Sequence, residues 1–285
     1  MNFPFYIARR YLFSKKKHNA INIISGISVC GVALATLALV CTLSVFNGFQ
    51  DMVASFFTAF DPQLKITVRE GKVFDGQDGR IREVCALPEI DVFTETLEEN
   101  AMVQYKDRQA MVVLKGVEDN FEELTAIDSI LYGAGEFLLH DSIVNYGVMG
   151  VELVSTLGTG LQFVDPLQVY LPKRNAKVNM ANPGASFNRD YLYSPGVVFV
   201  VNQQEYDGKY ILTSLAFLRQ LLDYTTEVSA IELKLKPDTN VSSVQSKIEK
   251  MLGSDFVVQN RYQQQADVFR IMAVSYTHLT LPTTE

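Results

Sequence analysis

The sequence predicts an α+β domain of mixed strands and short helices carried on one N-terminal transmembrane helix. Three observations predict it. Ile27 to Phe46 holds 20 residues without a charge, and a helix of that length spans roughly 30 Å, the hydrocarbon thickness of a bilayer. Beyond it, short runs of alternating polarity are interleaved with runs of helical periodicity. Basic and acidic residues are also segregated. The first 50 residues hold five of the 25 Lys and Arg and none of the 32 acids, so the rest of the chain is strongly negative.

The span comes first. Arg9, Arg10, Lys15, Lys16 and Lys17 precede it and the first acid, Asp51, follows it, which orients the N-terminus to the cytoplasm and the bulk of the chain outside. Ser28, Gly31, Ala35, Ala38 and Thr42 fall on one face, a small-residue stripe that admits a second membrane helix. Arg9-Arg10-Tyr11-Leu12-Phe13 has the look of a twin-arginine export signal. The apolar run is too long for a signal, however, and no A-x-A-like site leads to a polar mature start, so an uncleaved anchor is expected. Pro4 to Lys17 mixes rings with cations and reads as an amphipathic inner-surface segment or a basic leader. The organisation is therefore 1–20 cytoplasmic, 21–46 transmembrane, 47–272 outer domain with a helical stalk at each end, and 273–285 a foreign tail.

The outer domain follows in order. Phe49, Met52, Val53, Phe56, Phe57 and Phe60 recur at helical spacing up to Asp61-Pro62, where proline ends the helix. Strands are expected at Leu64–Val68, Asp91–Glu98, Ala101–Tyr105, Met111–Val117, Ile143–Gly150, Leu167–Leu171, Gly196–Val201, Tyr210–Leu212, Ala230–Leu235 and Phe256–Gln259. Lys106-Asp107-Arg108 makes a hairpin turn. Helices are expected at Gly79–Ala86, Asn120–Asp128, Val151–Leu157, Leu215–Asp223, Val241–Leu252 and Tyr262–Met272. Pro172 to Pro195 gathers three prolines with Lys173, Arg174, Lys177 and Arg189 in an acidic domain. It reads as a long projecting loop, partner-facing or a plain insertion, with Met180, Pro183 and Phe187 as its apolar points. The Thr-rich Val274–Glu285 does not continue the pattern and is set aside.

Composition excludes several classes. The acidic outer part argues against nucleic-acid binding. Cys30 and Cys41 lie in the span and Cys85 stands alone, so the domain holds by its core rather than by disulfides. His18, His140 and His278 are far apart and make no zinc pattern. There is no Walker sequence, no G-x-S-x-G and no H-E-x-x-H. Gly158-Thr159-Gly160 reads as a helix-ending turn, and Glu98-Glu99 and Glu122-Glu123 read as solvated faces. No cofactor and no catalysis are expected.

Arg10-Tyr11, Ile24-Ser25-Gly26-Ile27, Gly31-Val32 and above all Leu43-Ser44-Val45-Phe46-Asn47-Gly48-Phe49 resemble the first membrane helix of lipoprotein-releasing ABC permeases of the LolC/LolE type, within the FtsX-like/MacB-like permease group. Gly150 to Leu171, and Glu205-Tyr206-Asp207 with the strand and helix after it, resemble the MacB-like periplasmic core more loosely. The resemblance implies a permease subunit of the bacterial inner membrane with a large periplasmic domain. Its partners would be a second permease subunit, a separate cytoplasmic ATPase, a lipoprotein substrate and a periplasmic lipoprotein carrier. It implies that Leu43, Phe46 and Phe49 border the lipid chains, and that a carrier-hooking hairpin occupies the place of Pro172–Pro195, where Lys173, Arg174, Lys177, Met180, Pro183, Phe187 and Arg189 would act. It also implies a second span after Arg270-Ile271-Met272, so this sequence reads as truncated and is not expected to transport alone. Another MacB-like export permease and a single-pass anchored scaffold domain are the alternatives.

Overall fold

The computed structural model describes residues 20–55, 60–173 and 186–264, with isolated positions in the first ten residues. The chain divides into two compact units at Phe56/Phe57. The first contains the long helix α1 (Ala20–Ser55), in which Gly26–Gly48 is long and apolar enough to cross a membrane. The expected passage of the helix beyond Phe46 is present as far as Ser55. The Pro4–Lys17 segment, most of the expected second stalk and the 273–285 tail lie outside the described residues.

The outer unit is an α+β fold around one nine-stranded sheet. Its elements are β1 (Leu64–Val68), β2 (Phe74–Asp75), α2 (Gly79–Cys85), β3 (Ile90–Tyr105), β4 (Arg108–Val117), α3 (Phe121–Leu124), β5 (Leu131–Gly133), β6 (Val148–Met149), α4 (Val151–Leu157), β7 (Leu167–Pro172), β8 (Phe187–Leu192), β9 (Val197–Phe199), α5 (Gln204–Asp207), β10 (Tyr210–Ser214), α6 (Leu215–Leu222), β11 (Glu227–Val228), β12 (Ala230–Leu235), α7 (Val241–Leu252), β13 (Phe256–Asn260) and α8 (Arg261–Gln264). The main path runs β13-β1-β12-β3-β4-β10-β6, with β7 on β3 and β8 on β7. Among the described strands only β4 and β10 pair in parallel.

β3 is the spine. On one edge its first half, from Ile90 to Thr96, takes β12, and its second half takes β7 at Met102–Gln104. β4 fills the other edge from Thr96 to Tyr105. Side chains alternate across a strand, so each face collects every second residue. One face is backed by helices. Ile66, Leu233, Ile81 and Ile248 close one core there, and Val103, Leu114, Leu153 and Leu218 another. The opposite face carries a smaller cluster in which Phe60, Val117, Phe121, Phe199 and Leu212 meet. Side-chain caps start α6 and α7: Ser214 accepts from Phe217 N and Asn240 from Ser243 N, each satisfying an amide the helix leaves open.

Leu64–Val68, Val151–Leu157, Ala230–Leu235 and Val241–Leu252 coincide with the expectation, and Gly158 caps its helix left-handed as read. Four expectations are corrected. Asp91–Glu98 and Ala101–Tyr105 are one strand, since Glu99 and Asn100 stay paired to β4 although both are polar. Ile143–Gly150 is a strand only at Val148–Met149. Its earlier part is a tight turn in which Asp141 accepts from Ile143 N and Val144 N, an Asx geometry that competes with a ladder. Asn120–Asp128 is a single α-turn followed by a 3₁₀ turn at Ile127–Ile130. Pro172–Pro195 is not all loop, because Phe187–Leu192 returns as β8 along β7.

Gly150 precedes α4 where a Cβ would sit 2.3 Å from the backbone oxygen of Asp207. Gly150→Ala is expected to cost about 1–3 kcal/mol through forced backbone movement, read as a lower urea midpoint at unchanged m-value.

Candidate functional site

Four strands place four charges on the face away from the helix-backed cores. Lys65 of β1 stands opposite Glu232 of β12, and Glu98 of β3 opposite Lys115 of β4. Lys115 Nζ lies 2.5 Å from Glu232 Oε1, with both side chains shut off from water. Lys65 Nζ reaches Glu98 at 3.1 Å and Glu232 at 3.9 Å, and Lys115 lies 3.6 Å from Glu98. Burial pushes the Glu98 carboxyl up, but the two ammonium groups outweigh it and bring it down to about 2. Burial likewise pulls Lys65 down, and Glu98 with Glu232 more than reverses this. Glu98 and Lys65 therefore stay ionised through the neutral range. Glu232 Oε2 and the hydroxyls of Thr94 and Thr213 are buried without a hydrogen-bond partner.

The expected solvated face at Glu98-Glu99 is thereby corrected. Glu98 belongs to the buried cluster, and only Glu99 meets the surface cation Lys72, at 3.2 Å. Glu122 and Glu123 are exposed as read. Two residues adjacent in a strand point to opposite or unequal environments, which a doublet of glutamates conceals.

A cleft of about 400 Å³ opens over Lys65, Glu98 and Lys115, walled by Phe60, Tyr206 and Tyr210. Phe60 stacks on Tyr206 with centroids 5.3 Å apart, and Tyr206 lies 5.1 Å from Tyr210. The Tyr206 hydroxyl donates to Asp61 Oδ1 at 3.0 Å. Burial, then the Asp61 charge, holds that phenol above its ordinary value. No group of three His, Cys, Asp or Glu able to hold a metal occurs among the described residues. The cleft offers fixed charge, ring faces and side-chain amides.

Further along the same face no described residue covers the sheet. Met102 pairs with both Met111 and Tyr170, Arg189 stands opposite Tyr170, and Tyr191 opposite Gln168. Met111 is 67 % exposed and Tyr191 38 %. The Arg189 guanidinium lies 5.9 Å from the Tyr191 ring centre, and Tyr170 donates to Gln168 at 2.7 Å. Of the loop residues named from sequence, Phe187 and Arg189 are in β8 on this face. Lys173 is at the end of the hairpin, its N–H on Ser186 O. Arg174, Lys177, Met180 and Pro183 lie outside the described residues. Sequence reading missed Met102, Met111, Tyr170 and Tyr191. Their period-2 alternation was the available signal, and in β8 the prolines and glycine nearby masked it.

On α1 the stripe Ser28, Gly31, Ala35, Ala38 and Thr42 is exposed, and a Cβ at Gly31 would meet nothing within 4 Å. Thr42 and Thr36 donate their hydroxyls to Ala38 O and Val32 O, both at 2.8 Å, so neither leaves an open polar group toward lipid. Leu43 and Phe46 are exposed. Phe49 continues the helix, and its side chain lies outside the described residues.

The chain matches the family described as MacB-like periplasmic core domain over residues 25–251. It is 25 % identical over 243 residues to the lipoprotein-releasing system transmembrane protein LolE of Haemophilus influenzae, covering 82 % of this chain and 55 % of that one. It is 21 % identical over 281 residues to the corresponding LolC of Xylella fastidiosa, covering 95 % and 63 %. The chain thus spans a little over half the length of these curated relatives. Among solved structures, the periplasmic region of MacB from Actinobacillus actinomycetemcomitans is similar at TM-score 0.47 and 11 % identity, covering 72 % of this chain and 91 % of that one. The extracellular domain of YknZ, a transporter from Gram-positive bacteria, is similar at TM-score 0.46 and 10 % identity, covering 69 % and 99 %.

Two predictions concern the charged cluster. Lys115→Met or Glu232→Leu alone strands a buried charge and is expected to cost about 3–5 kcal/mol, while the two together recover most of that; a urea-unfolding cycle measures it. The Glu98 carboxyl is depressed from 4.5 to about 2, so its contribution is complete above the ordinary value and drains as the pH falls between the two. Glu98→Gln should flatten stability against pH in that acid window, measured by unfolding at stepped pH.

Proposed function

Since this chain belongs to the MacB-like periplasmic core domain family, we propose that it supplies the first membrane span and the outer domain of a permease subunit in an ABC-type lipoprotein-releasing system. In this reading α1 crosses the inner membrane with its N-terminus in the cytoplasm, and the sheet stands in the periplasm. A separate cytoplasmic ATPase supplies the energy, and this chain performs no catalysis. The basic leader, the acid-free span and the acidic outer part support that orientation. The names borne by the LolE and LolC relatives support the substrate class.

The observation that carries the reading is the uncovered sheet face on β3, β4, β7 and β8. Arg, Tyr and Met are the residue types enriched where proteins meet. Arg189, Tyr191, Tyr170 and Met111 present all three on paired strands. We assign this face, with Lys173, Arg174, Lys177, Met180, Pro183 and Phe187 of the adjoining hairpin, to capture of a periplasmic lipoprotein carrier. The small-residue stripe of α1 is assigned to a membrane helix of the dimer, and Leu43, Phe46 and Phe49 to the edge of the lipid-chain path.

The test uses the full-length gene product with its membrane partners. Pull-down should recover an ATPase and a lipoprotein carrier. Arg189→Glu with Tyr191→Ala should lower carrier capture by at least about tenfold, the loss of a central anchor pair, while ATPase recovery and membrane insertion stay unchanged. Carrier capture at the parental level by that variant would remove the carrier assignment.

A further inference from the structure

The incoming and outgoing segments of the outer unit meet at one end of the sheet. β1 and β13 are antiparallel, with Leu64 opposite Asn260, so residues 60–63 arrive beside the point where 261–264 leave. Backbone pairing stops at that register. What continues past it is a set of side-chain bonds to backbone. Arg261 Nε donates to Asp61 O at 2.9 Å, and Gln264 Nε2 donates to Pro62 O and Gln259 O, each at 3.1 Å. Gln63 Oε1 accepts from Leu235 N at 2.6 Å, which ties the incoming segment to β12.

The outgoing segment is braced from behind as well. Asn260 Oδ1 accepts from Gln263 N at 3.1 Å, and Gln263 Oε1 accepts from Asn260 N at 3.0 Å. The buried Gln245 of α7 donates to Gln263 Oε1 at 2.8 Å and accepts from Asn260 Nδ2 at 3.1 Å. Each of these is an amide, a guanidinium or a carbonyl, and none of the acceptors titrates near neutrality. An edge strand whose end is bonded only through its own ladder frays first. Here the end of the edge strand β13 is fastened to the neighbouring segment and to a core helix.

The geometry points to a two-point clasp. Arg261 and Gln264 are positioning residues that fasten the outgoing segment to the incoming one, so residues 60–64 and 260–264 move as one body. A displacement on either side then tilts the sheet instead of opening a gap between its two connections. The cleft over Lys65 shares this device, because Phe60 and Asp61 on one segment and Gln264 on the other line it. The proposal rests on the permease reading only for the origin of the displacement.

Pulsed dipolar spectroscopy tests it on the full chain with Cys30, Cys41 and Cys85 replaced by Ala and spin labels at Glu70→Cys, past the far end of β1, and Tyr262→Cys on the outgoing segment, both exposed positions. One narrow distance is expected. Arg261→Ala with Gln264→Ala should widen the distribution at least about twofold, as local opening at an edge does, and Arg261→Lys, which keeps a donor, should narrow it again in the presence of Gln264. Gln264→Glu replaces the donating amide by an acceptor of the same shape and should widen the distribution while thermal unfolding is unchanged. A broad distribution in the parent, or a parental width in both Gln264 variants, overturns the clasp. With the ATPase turning over, the parental distance should hold; a change above about 5 Å, the scale of a one-turn ratchet, also overturns it. If no ATPase associates, the permease reading fails while the widths still decide the clasp.

Discussion

The Lys115–Glu232 pair lies in the middle of a sheet, with neither side chain reaching water. An ion pair so placed is a weak source of net stability, because desolvating both groups offsets most of their attraction. What it imposes is register. Sliding β4 by one residue would turn Lys115 onto the face where Leu114 packs with Leu153 and Leu218, and sliding β12 would drive Glu232 among Ile66 and Ile248. A one-residue slip inverts every side chain in a strand, and here it would leave a charge unpaired in hydrocarbon. Lys65 and Glu98 extend the constraint to β1 and β3, so four strands are fixed against one another by charges on a single face.

That constraint divides the labour between the two faces. The helix-backed face holds the two larger apolar cores and carries the stability. The other face is left for polar and aromatic groups: the charged cluster and its cleft at one end, the open ladder of Met, Tyr and Arg at the other. β3 is long enough to serve both ends, with β12 and the cluster along its first half and β7 along its second. A displacement delivered to β1 and β13 therefore reaches the open ladder through continuous backbone pairing, without crossing a loop.

Much of this was legible in the sequence, for reasons that differ by element. α1 was readable because lipid leaves a chain few ways to cross it. β1, β12 and α7 were readable because each has one apolar face and so a clean period. β3 was split in two because Glu99 and Asn100 break its hydrophobic pattern, while their backbone groups stay in the ladder. The site was harder. Lys115 and Glu232 look like ordinary solvent-side residues of alternating strands, and their burial follows from what two distant segments, 60–62 and 203–210, lay over them. β8 was hidden because its core side carries Asn188 and Asp190 beside Leu192, which breaks the apolar period, and its pairing with β7 is invisible without the third dimension. Phe187 and Arg189 were named for the loop they adjoin, and their place on a strand beside Tyr191 comes from the fold.

The outer unit uses two kinds of polar bond, and their positions fit their physics. The Lys115–Glu232 pair sits in the sheet interior, where the surroundings are dry and the pair is insensitive to salt. Neutral amides and one guanidinium sit at the junction with the chain's connections. Bonds between such groups and carbonyl oxygens are individually modest, and neither their strength nor their direction changes with protonation in the neutral range. A junction built from them holds its geometry through shifts of local pH and ionic strength that would loosen an exposed salt bridge. Stiffness in the centre and a condition-independent fastening at the edge let the outer unit meet a displacement as one body.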